Sequence, residues 1–531
     1  MIKVTYDELM ARRKRVSIDP AVTNRIDGFS KNLKSALKSS KRVVVFADYD
    51  CDGIFAALEL KKLACVLGIP DVTVYITDRY VDGYGIKPNA PSLVSPGDTV
   101  IILDMGAQEY DKIREINDRT GHTAFVIDHH EMNDDMKLYP KTNILNFFDG
   151  ALKDEEPEWC TTGLMYKIFN SITQDYVVSI KVHTTVSIYA MIGTVADMVK
   201  VNTGRDDNAE IVRNGLRLIS FADSTNTDDT LAYFLDILEQ TKVPHLSSKS
   251  IGWKVAPIIN AMSRMLNNGG QQAYDTLSKP LNIHDINAMI NNNNNRKDMM
   301  KNIFNSMHYK EYIARVQNSI RNGTATSPIA IYVAPDVPRG LLGLIASRMA
   351  NALSMPSVCV TKLSDGEITG SARNVKGYPN ALDKAISAAV DGVQVGGHAD
   401  AFGVNADDDN SFRTFAVNLA NAYRDVQHTI IEPEYLDTDG MSVEKLHSLE
   451  PYGPDFPAPV VCLQGPLTDF KVFKGKWLSA KVNGIKIFGE TRDGLFEGMN
   501  VTVKGPLDIN VYNSKKGVIE SLQVTFDSIE V

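Results

Sequence analysis

Four short stretches concentrate side chains that can hold cations: Ala47-Asp48-Tyr49-Asp50-Cys51-Asp52-Gly53, Leu103-Asp104, Asp128-His129-His130 and Ala196-Asp197. Brought into one crevice, so many carboxylates would repel one another and raise their own pKa values. Cations remove that cost. Carboxylate and imidazole donors without thiolate suit Mn²⁺ or Mg²⁺ better than structural zinc. The donors are too many for one ion and suit two, roughly 3.5–4 Å apart. Taken singly each stretch is weak, because an isolated Asp-x-Asp is usually a turn. Cys51, inside the first motif, reads as packing.

Their weight comes from the elements that carry them. Short apolar runs rich in β-branched residues (Val43–Phe46, Val72–Ile76, Val100–Leu103, Phe125–Ile127, Ile144–Phe147) alternate with helix-like stretches or polar loops. Each run is too short for a helix, and continuous apolar strands belong to sheets covered on both faces. The alternation predicts an α/β fold with a doubly wound parallel sheet. Asp104 and Asp128 follow such a run directly and Asp48 follows one extended through Ala47, and in open α/β sheets the ligand crevice lies beyond the carboxyl ends of the strands. Asp197 closes the apolar helical stretch Ile192–Ala196.

The 531 residues suggest several domains, with 44% hydrophobic and 23% charged residues in the ordinary globular range. Residues 1–40 read as a basic N-terminal extension, either a solvated helix or a phosphate-tracking surface. Residues 41–284 hold the parallel-sheet domain, and residues 285–325, through the run Asn291–Asn295, read as one long connecting helix. A smaller α/β domain spans 326–431. Residues 432–531 show many short strands between Gly and Asn turns, the pattern of a small β-barrel.

A net charge of −9 excludes a uniformly basic nucleic-acid coat but leaves room for local patches. One such patch holds Lys471, Lys474, Lys476, Lys481 and Lys486, interleaved with Phe473 and Trp477. The five cysteines are never spaced C-x-x-C, which points to a reducing compartment and a cytoplasmic protein. No apolar run approaches the roughly 18 residues of a membrane span.

The four motifs, in this order, resemble the signature motifs of the DHH phosphoesterases, and within that superfamily the RecJ-like family of single-strand-specific exonucleases. Arg79-Tyr80-Val81-Asp82-Gly83-Tyr84-Gly85 resembles the family's substrate loop, and Pro257–Arg264 its asparagine–arginine helix motif. Ala346-Ser347-Arg348, Gly370-Ser371-Ala372-Arg373 and Gly396-Gly397-His398 resemble phosphate-contacting motifs of the DHH-associated domain. Leu449-Glu450-Pro451-Tyr452-Gly453 resembles the loop that introduces an oligonucleotide-binding (OB) barrel. The chain departs from the pattern at Ser263, at Val337-Pro338-Arg339 and at Asp455-Phe456.

The resemblance implies two divalent cations, Mn²⁺ or Mg²⁺. One would be held by Asp48, Asp50 and Asp104, the other by Asp52, Asp104, His129 and Asp197, with Asp104 bridging. Asp128 and His130 would contact phosphate or orient the ligands. Substrate contacts would come from Arg79, Tyr84, Asn260, Arg264, Ser347, Arg348, Ser371, Arg373, Gly396, Gly397 and His398. The implied activity is 5′-to-3′ hydrolysis of single-stranded DNA to 5′-mononucleotides in repair, recombination or replication. RNA is the alternative strand; a single-strand-binding protein or helicase is the further partner, and the protein is expected to be a monomer away from membranes. The rivals are a phosphodiesterase for short RNA or cyclic dinucleotides, and a replication scaffold without catalysis.

Overall fold

The computed structural model describes residues 2–148, 156–222, 231–243, 246–280, 282–324, 328–424, 426, 432–514, 517–526 and 528–530. The first unit is built on a five-stranded, all-parallel sheet ordered Val72–Ile76, Val43–Ala47, Thr99–Leu103, Phe125–Ile127, Ile144–Leu145. After Val72–Ile76 the chain crosses to the other side of Val43–Ala47, so strand order reverses between Val43–Ala47 and Thr99–Leu103. Register pairs Ala47 with Leu103 and Leu103 with Ile127. The next residue of each strand is therefore Asp48, Asp104 or Asp128, all at one edge beside the reversal.

Apolar helices cover the sheet. Cys51–Leu67, Thr161–Thr173 and Ile180–Ala196 pack together in its largest core, each buried over most of its length. The helix Pro20–Ser39 belongs to the same core. Asp19 caps its first turn, Pro20 opens it, and Val22, Ile26, Phe29, Leu33 and Leu37 form a buried stripe at helical spacing. Burial of each such side chain contributes about 1.5–3 kcal/mol. Residues 1–40 are thus not a detached extension: the lysines of this helix face solvent because its other face fills the core.

The connecting segment is two helices rather than one. Ile283–Asn305 runs unbroken through the asparagines, and Ser306 ends it with an extended backbone while its hydroxyl accepts from the Tyr309 amide to cap Met307–Arg321. The second unit carries a five-stranded mixed sheet ordered Val393–His398, Ala401–Ala406, Ile368–Arg373, Ser357–Lys362, Ala330–Val333. Only its last pair is parallel. The expected boundaries at 325/326 and 431/432 touch residues outside those described.

The C-terminal unit is a curled seven-stranded sheet of OB-like form. It contains a strand, Thr468–Phe473, that the sequence pattern had not revealed, and a long hairpin of Asn500–Ser514 with Gly517–Thr525. Ile485–Glu490 pairs parallel with that hairpin's second strand. Among the described residues no helix is long and apolar enough to cross a membrane.

Candidate metal centre

The turn after Val43–Ala47 starts a helix at once. Asp50 is its N-cap, accepting from the amides of Asp52 and Gly53 at 2.9 and 3.4 Å. Gly53 is needed for close approach: a Cβ there would lie 2.5 Å from the Asp48 carbonyl oxygen. Asn260 pins the turn from the helix Ala256–Met265, its Oδ1 accepting from the Cys51 amide at 2.9 Å. Cys51 itself is buried, with Sγ 3.6 Å from the Ala256 carbonyl oxygen. Asp104 sits at φ 62, a conformation uncommon for a residue with a Cβ and one that aspartate tolerates better than most.

Three sets of side chains place ligand atoms within 4.8 Å of one another: Asp48, Asp50 and Asp104; Asp52, His129 and Asp197; Asp104, His129 and His130. His129 Nε2 lies 3.4 Å from Asp104, 3.6 Å from Asp197 and 3.7 Å from Asp52. Burial, then the neighbouring carboxylates, push Asp104 and Asp197 well above the ordinary range. Burial and Asp50 raise Asp48 to about 8. Asp48 Oδ1 is buried with no protein donor. A buried carboxylate cluster short of donors is the environment that divalent cations relieve, so the donor set fits two hard cations.

Asp128 is different. Burial would raise it, but the charge and hydrogen bond of His130 prevail and hold it below the ordinary range. Its carboxylate accepts from the amides of Ala107, His129 and His130 and faces His130 Nδ1 at 2.7 Å. A carboxylate held as the anion can only accept, so Nδ1 carries the proton and Nε2 is turned away from Asp128.

Two supporting residues had no sequence signal beyond small polar side chains opening an apolar helix. The amides of Thr161 and Thr162 donate to the two oxygens of Asp52 at 2.7 and 2.8 Å. The Thr162 hydroxyl adds a bond to Asp52 at 2.6 Å, and that of Thr161 one to Asp104 at 3.1 Å. A helix N-terminus thus holds the Asp52 carboxylate.

Three of the expected substrate contacts converge beside this cluster. Arg264, on Ala256–Met265, is pushed down to about 9 by burial and by the charges of Arg79 and Arg373. Arg373 is lowered by burial and by Arg79. Arg79 lies over the Tyr49 ring at 4.0 Å. Asp50 acts on Arg264 in the opposite sense, so the cationic cluster borders the acidic one. Arg373 comes from the second unit and donates to Ser371 Oγ at 2.9 Å. The units meet where Arg339 donates to the Tyr80 carbonyl, the Tyr80 hydroxyl to the Arg264 carbonyl, and Arg264 to the Gly340 carbonyl. The departure at Val337-Pro338-Arg339 therefore lies at this joint.

Other expected contacts lie apart or open. Arg348 is exposed, its guanidinium 5.3 Å from the Phe304 ring, and Ser347 is half-buried beside it. Tyr84 is 56% exposed and meets the His130 ring edge-on at 5.5 Å. A Cβ on Gly396 would meet nothing, whereas Gly397, at φ 140, has the Ala401 carbonyl oxygen 2.6 Å from where its Cβ would be. The His398 side chain lies outside the described residues. In the barrel, the lysine patch is partly neutralised. Lys481 pairs with Asp469 at 2.8 Å and Lys476 with Glu490 at 3.6 Å, acids supplied by adjacent strands. Trp477 stacks on Phe488 at 5.7 Å and is 39% exposed, and Phe473 is 49% exposed.

The parallel sheet thus carries aspartates and a histidine pair at its switch-point edge, faced by Arg79 and Arg264 of the same unit and by Arg373 of the second. Residues 42–194 match the DHH family, N-terminal domain. Over most of its length the chain is similar to the single-stranded-DNA-specific exonuclease RecJ. It is 21% identical to that of Bacillus subtilis, over 94% of this chain and 63% of the relative, and so spans under two thirds of its length. It is 23% identical to that of Thermus thermophilus, over 91% of this chain and 68% of the relative. The crystal structure of RecJ in complex with Mn²⁺ from Thermus thermophilus superposes with a TM-score of 0.71 at 20% identity, covering 98% of this chain and 73% of that one.

Proposed function

We propose that this chain is a divalent-cation-dependent exonuclease of single-stranded DNA, cutting from the 5′ end and releasing 5′-mononucleotides. The observation that carries the reading is the junction of two opposite clusters. Six candidate ligands, Asp48, Asp50, Asp52, Asp104, His129 and Asp197, adjoin Arg79, Arg264 and Arg373, which gather from both units. Like-charged arginines gathered half-buried in one place favour an anion between them, and a phosphodiester supplies one that guanidinium can grip in bidentate fashion. The similarity to proteins named single-stranded-DNA-specific exonucleases, and to RecJ crystallised with Mn²⁺ or Mg²⁺, supports strand and cation alike.

Bound divalent cations would supply charge neutralisation and an activated water at phosphorus. The chain's own residues do the rest. Asp104 is shared by two of the three ligand groups and lies 3.4 Å from His129 of the third, so it would set their spacing. Asp128 holds the Nδ1 proton and the orientation of the His130 ring; Nε2 would then accept a proton from a group at the site, and only as the imidazolium would it contact a phosphate oxygen or return that proton to the departing one. Tyr84, open beside His130, would stack on the terminal base. The barrel would hold the strand farther along, through Lys471, Lys474, Phe473 and Trp477. The five free cysteines agree with a cytoplasmic setting.

Digestion of end-labelled oligonucleotides with Mn²⁺ tests the reading. Long single strands should be consumed and duplexes spared. Preference for dinucleotides over long strands would favour a small-ligand phosphodiesterase, and no cleavage with bound Mn²⁺ a scaffold.

A further inference from the structure

The chain leaves the candidate ligand Asp197 by an unusual route. Asp197 caps the end of the helix Ile180–Ala196, and Met198 follows in a left-handed conformation at φ 59. Three residues later Val201 is buried in the core of the C-terminal barrel, among Leu436, Leu446 and Leu449. The segment is gripped there. Asp455 accepts from the amides of Val201 and Asn202, both at 2.8 Å. Gly453 approaches so closely that a Cβ would meet Val201 at 2.8 Å.

The N-terminal arm closes over the same segment. Asn202 accepts from the Lys14 amide and donates to the Arg12 carbonyl, each at 3.0 Å, and the Ser17 amide donates to the Gly204 carbonyl at 2.8 Å. Arg13 lies 3.5 Å over the Phe456 ring and donates to the carbonyls of Leu449 and Pro451. Arg12 pairs with Glu434, and Ile2–Val4 adds a parallel strand to Glu434–Leu436. On the far side, Asn208 donates to the Lys200 carbonyl and to that of Glu158, three residues before Thr161, which holds Asp52.

We propose that Asp455 is a positioning residue for the cation site: by clamping the amides of Val201 and Asn202 it fixes the end of the helix that presents Asp197, and so makes seating of the barrel a condition for a complete ligand set. Two charge-assisted bonds to adjacent amides define the backbone direction there better than neutral bonds could. The inference rests on the cation-dependent reading above and adds a coupling that the reading does not require.

The test uses the full chain and Mn²⁺ alone, with binding followed by calorimetry and electron paramagnetic resonance. Asp455→Asn should weaken one of two Mn²⁺ sites by about 10-fold, the effect typical of groups that orient a ligand. Asp455→Glu, which keeps the charge, should recover part of the loss. In an Asp197→Asn background Asp455→Asn should change Mn²⁺ affinity little further, because its effect runs through Asp197. On single strands kcat should fall with KM nearly unchanged. If Asp455→Asn unfolds the chain, Asp455→Glu, which keeps the charge but displaces the carboxylate by one methylene, should still weaken the same site relative to the wild type. Unchanged Mn²⁺ affinity in Asp455→Asn, or an equal loss in both backgrounds, would overturn the coupling and leave the nuclease reading intact. Wild-type protein that binds no Mn²⁺ would overturn both.

Discussion

Asp48→Asn should stabilise the protein without cations and disable it with them. Burial and Asp50 raise the Asp48 pKa from 3.8 to about 8. A carboxyl raised in the folded state contributes stability that is fully present below its unfolded pKa and is lost as pH rises through the folded one. The roughly three pH units between pH 5 and pH 8, at 1.36 kcal/mol each, come to on the order of 4 kcal/mol lost over that range in EDTA. For a domain of 150–250 residues, about 2–4 °C per kcal/mol makes that a shift of roughly 10 °C or more. Asparagine keeps the shape and removes the titration. Thermal melts from pH 5 to pH 8 in EDTA should therefore fall steeply for the wild type and less steeply for Asp48→Asn, since Asp104 and Asp197 still titrate. Mn²⁺ should restore the wild type most at the alkaline end and the variant little. Parallel pH profiles for the two proteins in EDTA would refute the idea that repulsion in this crevice is what cations relieve.

Arg264→Ala should cost about 1.5–3 kcal/mol in substrate use at limiting concentration, the worth of a charge-assisted contact; Arg348→Ala, exposed beside Phe304, should cost far less, and equal losses would remove the distinction drawn from their places. Thr162→Val should lower stability by about 1–3 kcal/mol and weaken Mn²⁺ binding, because Asp52 loses a buried donor; calorimetry of both quantities checks it. Glu59, fully buried two turns beyond Asp52 with neither oxygen bonded, is raised by burial and by Asp52; Glu59→Met should raise the melting temperature and spare activity, and a lower melting temperature would show that the carboxyl has a use. Lys471→Gln and Lys474→Gln should each flatten the salt dependence of strand binding by about 0.7 in the log–log slope, whereas Lys476→Gln and Lys481→Gln, whose charges are paired, should change it less.

The parallel sheet and the convergence of Asp48, Asp104 and Asp128 were legible because strand register is written in runs of apolar residues, and the residue after each run inherits its place. The helix across Asn291–Asn295 was legible from flanking apolar spacing, but its end at Ser306 was not, since a lone serine signals a cap only once the backbone turns. Thr161 and Thr162 were hidden because a helix N-terminus serves an anion through backbone amides, which every sequence possesses. The acids opposite Lys476 and Lys481 come from other strands and appear only when the sheet is paired. Least visible was the role of residues 1–19, whose basic composition gave no hint that Arg13 and Asn202 join the arm to the segment after Asp197.

We propose that the aspartate–histidine cluster cuts single strands from an end with the help of divalent cations. The most direct measurement is a time course of a long, 5′-end-labelled single strand incubated with the protein and Mn²⁺, beside EDTA and Asp104→Ala controls. Label should appear in mononucleotide from the earliest time, with neither control cutting although Asp104→Ala remains folded. A ladder of labelled internal fragments, or undiminished cutting by Asp104→Ala, would contradict it.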